Sequence, residues 1–294
     1  MPLPISRKSR RLLLALISTT KWWLCSNIII IPVCAFTANS PSQGRSLLRQ
    51  HGHSETHHLH ESSNDADHGD AASATIIYSN FRNVPCLRND YYALRHGRSL
   101  ANEAGVIASN PEVACTKYGL SPVGKEQAQA AGQTLVETFC QSQNKNYNGL
   151  LIVSSDLLRA RETAQAVCRA AIEADIPVYQ GEVVLQTWLR ERDFGDWDGT
   201  SDANYQRVWD DDAMDDTHTN QNVESVVSVI QRVATGIMHW DAQLENYMVV
   251  CVAHGDVLQI GQTALAKSDG KLHRTLPHLE TATLRYMPFG DVGS

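Results

Sequence analysis

The sequence has no cysteine pair spaced C-x-x-C, no internal repeat, and no long basic run beyond its N-terminus. The first lack argues against a structural zinc site. Its seven cysteines (Cys25, Cys34, Cys86, Cys115, Cys140, Cys168 and Cys251) are scattered and odd in number. They give no disulfide framework and read as buried thiols. The missing basic run, at a net charge of −7, argues against a nucleic-acid footprint. The basic groups that matter must then be few and local. What is there is globular: 294 residues, 43% apolar and 19% charged. That is enough for one large domain or two small ones, with a substantial core.

Residues 1–40 read as a targeting segment. Arg7, Lys8, Arg10 and Arg11 precede the apolar run Leu12 to Ile17, and a second apolar block runs from Trp22 to Phe36. A basic region followed by an apolar one is signal-peptide grammar. Residues 12–36 are also long enough to cross a hydrocarbon core of about 30 Å. The alternative is therefore an uncleaved anchor that contacts the membrane and leaves a lumenal or extracellular catalytic domain. Residues 41–75 are rich in Ser, Asn, Asp and His and hold six of the 12 histidines: His51, His53, His57, His58, His60 and His68. A histidine tract can bind metal, but this one reads as a disordered spacer with too little apolar surface to order itself.

Residues 76–294 have the pattern of a folded domain. Tyr91 to Leu94 is a short apolar strand that stops at Arg95-His96-Gly97. Ser121-Pro122 opens a helix as cap and first residue, with Val123, Ala128, Ala131, Leu135, Val136 and Phe139 recurring on one face. Leu150 to Val153 is a buried strand ended by Ser154-Ser155-Asp156, which opens a helix to about Ala174. Pro177 to Leu185 contains another short strand. The acidic run 210–216 reads as an exposed loop. A helix from Val223 to Trp240 precedes the most apolar strand, Tyr247 to Ala253, which ends at His254-Gly255. A helix over Val257–Ala266 and a strand over Thr281–Met287 follow. Strands that alternate with helices and are apolar throughout predict a three-layer α/β/α sandwich with a mostly parallel sheet.

If the strands are parallel neighbours, their polar ends converge where open α/β sheets bind ligands. The convergent set contains Arg95, His96, Asn102, Arg159, Glu191, His254 and Gly255. A phosphate dianion needs about two positive charges, or equivalent N–H donors, in place of its water. Arg95, Arg159, His254 and the Asn102 amide can supply them. A neutral imidazole is a good nucleophile toward phosphorus, and neighbouring arginines favour its neutral form. A carboxylic acid beside the phosphate can protonate the leaving oxygen. Arg98 and Arg161 read as surface or supporting groups and Trp197 as core. Asp193 competes with Glu191 for the acid.

Four pieces in order resemble the histidine phosphatase superfamily, in its phosphoglycerate mutase-like branch, over roughly residues 88–290. They are Leu94-Arg95-His96-Gly97-Arg98-Ser99 with Asn102, Ser155-Asp156-Leu157-Leu158-Arg159-Ala160 with Thr163-Ala164, Leu189 to Gly195, and Ala253-His254-Gly255-Asp256. The resemblance implies that His96 attacks phosphorus and becomes a phosphohistidine. It implies that Arg95, Asn102, Arg159 and His254 bind the phosphoryl oxygens, with the Gly255 N–H as a further donor. It aligns Glu191, not Asp193, as acid and then base, and implies no metal and no cofactor, the arginines neutralising the charge instead. The family often has an asparagine near Glu280-Thr281-Ala282, and this chain does not. Ser99 to Ser109 with Leu120 to Gly124 resembles plant- and alga-type phosphoglycerate mutase-like proteins. Cys34-Ala35-Phe36-Thr37-Ala38 resembles the Ala-Phe junction of two-part sequences that target algal secondary plastids, so the leading expectation for location is an organelle, a plastid, reached by the secretory route.

The separation of Glu191 from His254 is short beside that in true mutases, whose longer insertion closes over a bisphosphate. The expected activity is therefore a metal-independent phosphatase acting on a small phosphorylated metabolite. The alternatives are a phosphoglycerate mutase-type phosphotransferase and a phosphate-ligand binding protein without turnover. The intact set His96, Arg159, Glu191 and His254 counts against the last.

Overall fold

A computed structural model of the chain describes Phe81 and residues 84–290, all within a unit spanning Ser62–Ser294. The expected targeting segment, the histidine-rich linker and the domain start at Ile76 lie outside the described residues.

Three apolar runs become adjacent parallel strands: β1 (Asp90–Arg95), β2 (Gly149–Ser154) and β4 (Tyr247–Ala253). With β3 (Val184–Leu185) and β5 (Leu284–Tyr286) they make one sheet in the order β3-β2-β4-β1-β5, antiparallel only at β5. The central strands are apolar on both faces because both faces are covered. Tyr91, Ala93, Leu151, Val153, Val249 and Cys251 face α6 (Val226–Gln243) and α7 (Gly255–Leu265). The alternate residues Tyr92, Leu94, Leu150, Ile152, Met248, Val250 and Val252 face α3 (Pro122–Gln141) and α4 (Leu158–Glu173). The expected three layers follow from that alternation.

Register places the site. Arg95 pairs with Ala253, and Ser154 with Val252. The polar residues that end β1, β4 and β2 therefore sit side by side at the carboxyl edge of the sheet. Short elements complete the rim there: α1 (Leu100–Ala104), α2 (Pro111–Ala114) and α5 (Tyr205–Met214).

Several expectations are corrected. The acidic run 210–216 is not an exposed loop. It begins in the last turns of α5, and Asp212 and Asp216 are buried. Val123 lies in the first turn of α3 and is 50% exposed, off the core face that Ala128, Ala131 and Leu135 share. Ser121 does cap α3, its hydroxyl accepting from the Gly124 N–H at 3.1 Å. The helix after β2 begins at Leu158, and Val226 opens α6 behind a Ser225 cap. Of the described cysteines, Cys168 and Cys251 are buried, but Cys86 and Cys140 are exposed. Cys140 falls on the solvent side of the last turn of α3. No helix of the described residues is long and apolar enough to cross a membrane.

Candidate active site

The chain leaves β1 at Arg95 and turns through His96 and Gly97 under two constraints. The Gly97 N–H donates to Thr163 Oγ1 of α4 at 3.0 Å. A side chain on Gly97 would meet the Gly124 backbone at the start of α3, and one on Gly124 would meet the Arg98 carbonyl. Only glycine at both positions allows this approach, and it fixes the direction in which His96 leaves the strand.

His96 is buried. Its Nδ1 lies 2.7 Å from the Gly97 carbonyl oxygen, and its Nε2 lies 3.1 Å from the Arg159 Nε. A carbonyl only accepts and a guanidinium only donates. The proton therefore sits on Nδ1 and the lone pair on Nε2. Burial, then the charges of Arg159 and Arg95, hold His96 well below the usual imidazole range, so the ring is neutral. Arg159 is itself buried. It donates to the Ala108 carbonyl at 3.0 Å, and its second terminal nitrogen has no hydrogen-bond partner among the described residues. Arg95 donates to His278 Nε2 and to the Leu279 carbonyl, each at 2.9 Å, and its Nε has no hydrogen-bond partner among the described residues.

His254, directly after β4, is fully buried, its ring centroid 5.1 Å from that of His96. Its Nε2 is 2.9 Å from Ser155 Oγ, and its Nδ1 has no hydrogen-bond partner among the described residues. Burial and the nearby Arg159 keep it neutral as well.

Glu191 is almost fully buried. Its Oε1 accepts from the Arg192 N–H at 3.0 Å and from the Val257 N–H, in the first turn of α7, at 3.4 Å. Burial, reinforced by Asp256, pushes its pKa up to about 7, against the opposing pull of Arg159. It can thus hold a proton near neutral pH and release it. Three guanidinium groups fix its loop. Arg190 forks onto Asp156 at 2.8 and 2.6 Å. Arg192 forks onto Asp212 at 2.7 Å on both arms. Arg232 donates to the Trp188 and Arg190 carbonyls at 2.6 and 3.0 Å. Asp193, the competing acid, is exposed and accepts from the Gly195 N–H.

Arg95, His96, Asn102, Arg159, Glu191 and Gly255 line one cavity of about 100 Å³. Gly255 lies against the Arg95 guanidinium, since a Cβ there would be 3.6 Å from its Cζ. Asn102 has a second job. Its Oδ1 accepts from the Ser99 N–H and hydroxyl at 3.0 and 2.9 Å in the capping box of α1, which leaves its NH₂ as the end that can meet an anion. Arg98 is exposed, and Trp197 packs against the cluster of Ile107, Phe194, Val208 and Val223.

Sequence reasoning missed the outer wall. Tyr205 and Trp209 of α5 stack at 5.5 Å, and the Arg274 guanidinium lies over the Trp209 ring, 3.7 Å from its centroid. Asp256 accepts from Trp209 Nε1 at 3.0 Å and from Arg274 at 3.3 Å. His278 stands beside Arg95 near the segment where the family's asparagine is absent. The Tyr205/Trp209 spacing of four residues was a usable helical signal, masked by the acidic run that follows it.

The family model for the histidine phosphatase superfamily (branch 1) matches residues 91–292. The chain belongs to the histidine phosphatase superfamily. Its relatives include a glucosyl-3-phosphoglycerate phosphatase of Mycolicibacterium vanbaalenii, 29% identical over 58% of this chain and 72% of that one. An agropine synthesis reductase of Rhizobium rhizogenes is 29% identical over 65% of this chain but only 38% of its own length. Among solved structures, a mycobacterial glucosyl-3-phosphoglycerate phosphatase complexed with VO3 superposes with a TM-score of 0.53 at 26% identity, covering 66% of this chain and 88% of that one. The histidine phosphatase reading accounts for the fold and for the sheet edge at which these side chains meet.

Proposed function

We propose that this histidine phosphatase hydrolyses a small phosphomonoester in two steps through a phosphohistidine at His96. The observation that carries the proposal is the tautomer of His96. The Gly97 carbonyl holds the proton on Nδ1, so Nε2 is a lone pair beside two arginines that have no carboxylate partner among the described residues.

In the first step the ester's phosphoryl oxygens take over the Arg159 and Arg95 donors, which frees Nε2 to attack phosphorus. The P–O bond to the alcohol breaks as the Nε2–P bond forms. The protonated Glu191 gives its proton to the departing oxygen. In the second step the Glu191 carboxylate takes a proton from water, and the resulting oxygen nucleophile displaces His96 from phosphorus. Inorganic phosphate leaves, and both residues return to their starting states. His254, the Asn102 NH₂ and the Gly255 N–H are further donors to the phosphoryl oxygens. Arg95 and Arg159 together match the charge of a phosphate dianion, which is the role a metal plays elsewhere.

The mycobacterial relatives suggest phosphoglycerate esters as the first substrates to try, glucosyl-3-phosphoglycerate among them. His96→Ala abolishes phosphate release and the acid-labile phosphoenzyme in this reading; retained turnover rejects His96 as the nucleophile. Interconversion of 2- and 3-phosphoglycerate without phosphate release points instead to a phosphotransferase. For location we propose delivery through the secretory route to an organelle, a plastid first, on the strength of residues 1–40. Fractionation of cells expressing the tagged full chain tests it, and an unprocessed, membrane-extracted product supports the retained anchor.

A further inference from the structure

We propose that Ser155 is a positioning residue that sets the tautomer of His254 and so makes it a phosphate donor. The inference rests on the reading of His254 as a phosphoryl ligand.

The argument is a count of donors and acceptors at a dry site. Ser155 and His254 both have no exposed surface. The Ser155 Oγ accepts from the Leu157 N–H at 3.2 Å and lies 2.9 Å from His254 Nε2. The rest of the turn is tied down, because the Ser155 N–H donates to the Val252 carbonyl at 2.9 Å. A neutral imidazole has one donor nitrogen and one acceptor nitrogen. If Nε2 carried the proton, it would donate to an oxygen that already accepts from Leu157. The serine hydroxyl proton would then have no acceptor among these partners, and Nδ1 would be a bare lone pair with no donor. Two buried polar groups would go unmet, each at a cost.

If instead the serine donates to Nε2, both of its hydrogen bonds are complete. One group is then left over, an N–H at Nδ1. That leftover joins the Nε of Arg95 and a terminal nitrogen of Arg159, the other buried atoms of this constellation without a protein partner. All three are then donors, as an oxyanion requires. A mixed set, with a lone pair among the donors, would repel one phosphoryl oxygen.

The choice is between two neutral tautomers. Burial first, then Arg159, His96, Arg232 and Arg95, keep the His254 ring uncharged. The hydroxyl is the element that selects.

The test uses the full chain carrying ¹⁵N-histidine, titrated with inorganic phosphate. Long-range proton–nitrogen spectra should show His254 protonated at Nδ1 in the phosphate complex. In Ser155→Ala the proton should shift toward Nε2, and phosphate affinity should fall about tenfold or more, the scale of one lost buried hydrogen bond. The phosphohistidine at His96 should still form, more slowly. An Nε2-protonated His254 in the wild-type complex overturns the proposal without any variant. So does a Ser155→Ala protein that keeps the Nδ1 proton and full phosphate affinity. His254→Asn separates the two readings: if it leaves phosphate affinity unchanged, His254 is not a phosphate ligand and the error lies in that assignment.

Discussion

A single carboxylate, Asp256, reaches both the acid and the wall of the cavity. It raises the Glu191 pKa by its charge while accepting from Trp209 and Arg274. In Asp256→Asn that charge is gone, so the Glu191 pKa falls. Glu191 then loses its proton at lower pH, and the alkaline limb of the kcat profile moves to lower pH. A limb that stays in place shows that burial alone sets the value. The histidines give the opposite sign. His96 and His254 stay neutral in the folded state well below the ordinary value of 6.5, whereas the unfolded chain protonates them near it. The unfolded state therefore binds more protons as pH falls below about 6.5, and stability declines there. The slope contributed is up to about 1.4 kcal/mol per pH unit for each histidine. Urea unfolding between about pH 4.5 and 6.5, compared with His254→Asn, measures it, and the variant should show the shallower decline.

At the scale of elements, α5 earned its place late. Asp212, on its inner face, is held by the Arg192 fork, by His218 Nε2 at 2.8 Å and by His273 at 3.6 Å. Removing one partner of such a cluster leaves an unpaired buried charge, so Asp212→Ala should cost about 3–5 kcal/mol. Denaturant titration tests that; a loss below about 1 kcal/mol would mean that water reaches the site. Its loosened Arg192 should also lower kcat, because that residue adjoins Glu191. The strands and helices beside the sheet were legible because their signals are local: an apolar run that stops at a polar pair, a serine before a proline. The placement of the polar side chains at the ends of β1, β2 and β4 was legible for the same reason, since each set follows directly on its strand. The run 210–216 was not. The partners of its Asp212, which are Arg192, His218 and His273, come from three other stretches, and without them five aspartates in a short segment can only be assigned to solvent. The wall of Tyr205, Trp209, Arg274 and His278 was hidden likewise, because no spacing in the sequence announces that α5 and the segment after α7 meet. Asn102 was half read: its place at the cavity was foreseen, its role in capping α1 was not.

Across the whole molecule, the sheet edge gathers three donors that find no acceptor among the described residues. A folded chain that leaves such groups unmet has stability in reserve, released when an oxyanion supplies the acceptors. Orthovanadate or phosphate should therefore act as a structural member as much as an inhibitor, raising the unfolding free energy by about 2.7 kcal/mol at a hundredfold excess over its Kd. Differential scanning calorimetry across an anion titration reads this directly, and the rise should vanish in Arg159→Ala. The same geometry bears on turnover. Donors arranged for a phosphoryl group hold the product nearly as well as the ester, so release of phosphate, rather than cleavage, becomes the slow exit from the cycle.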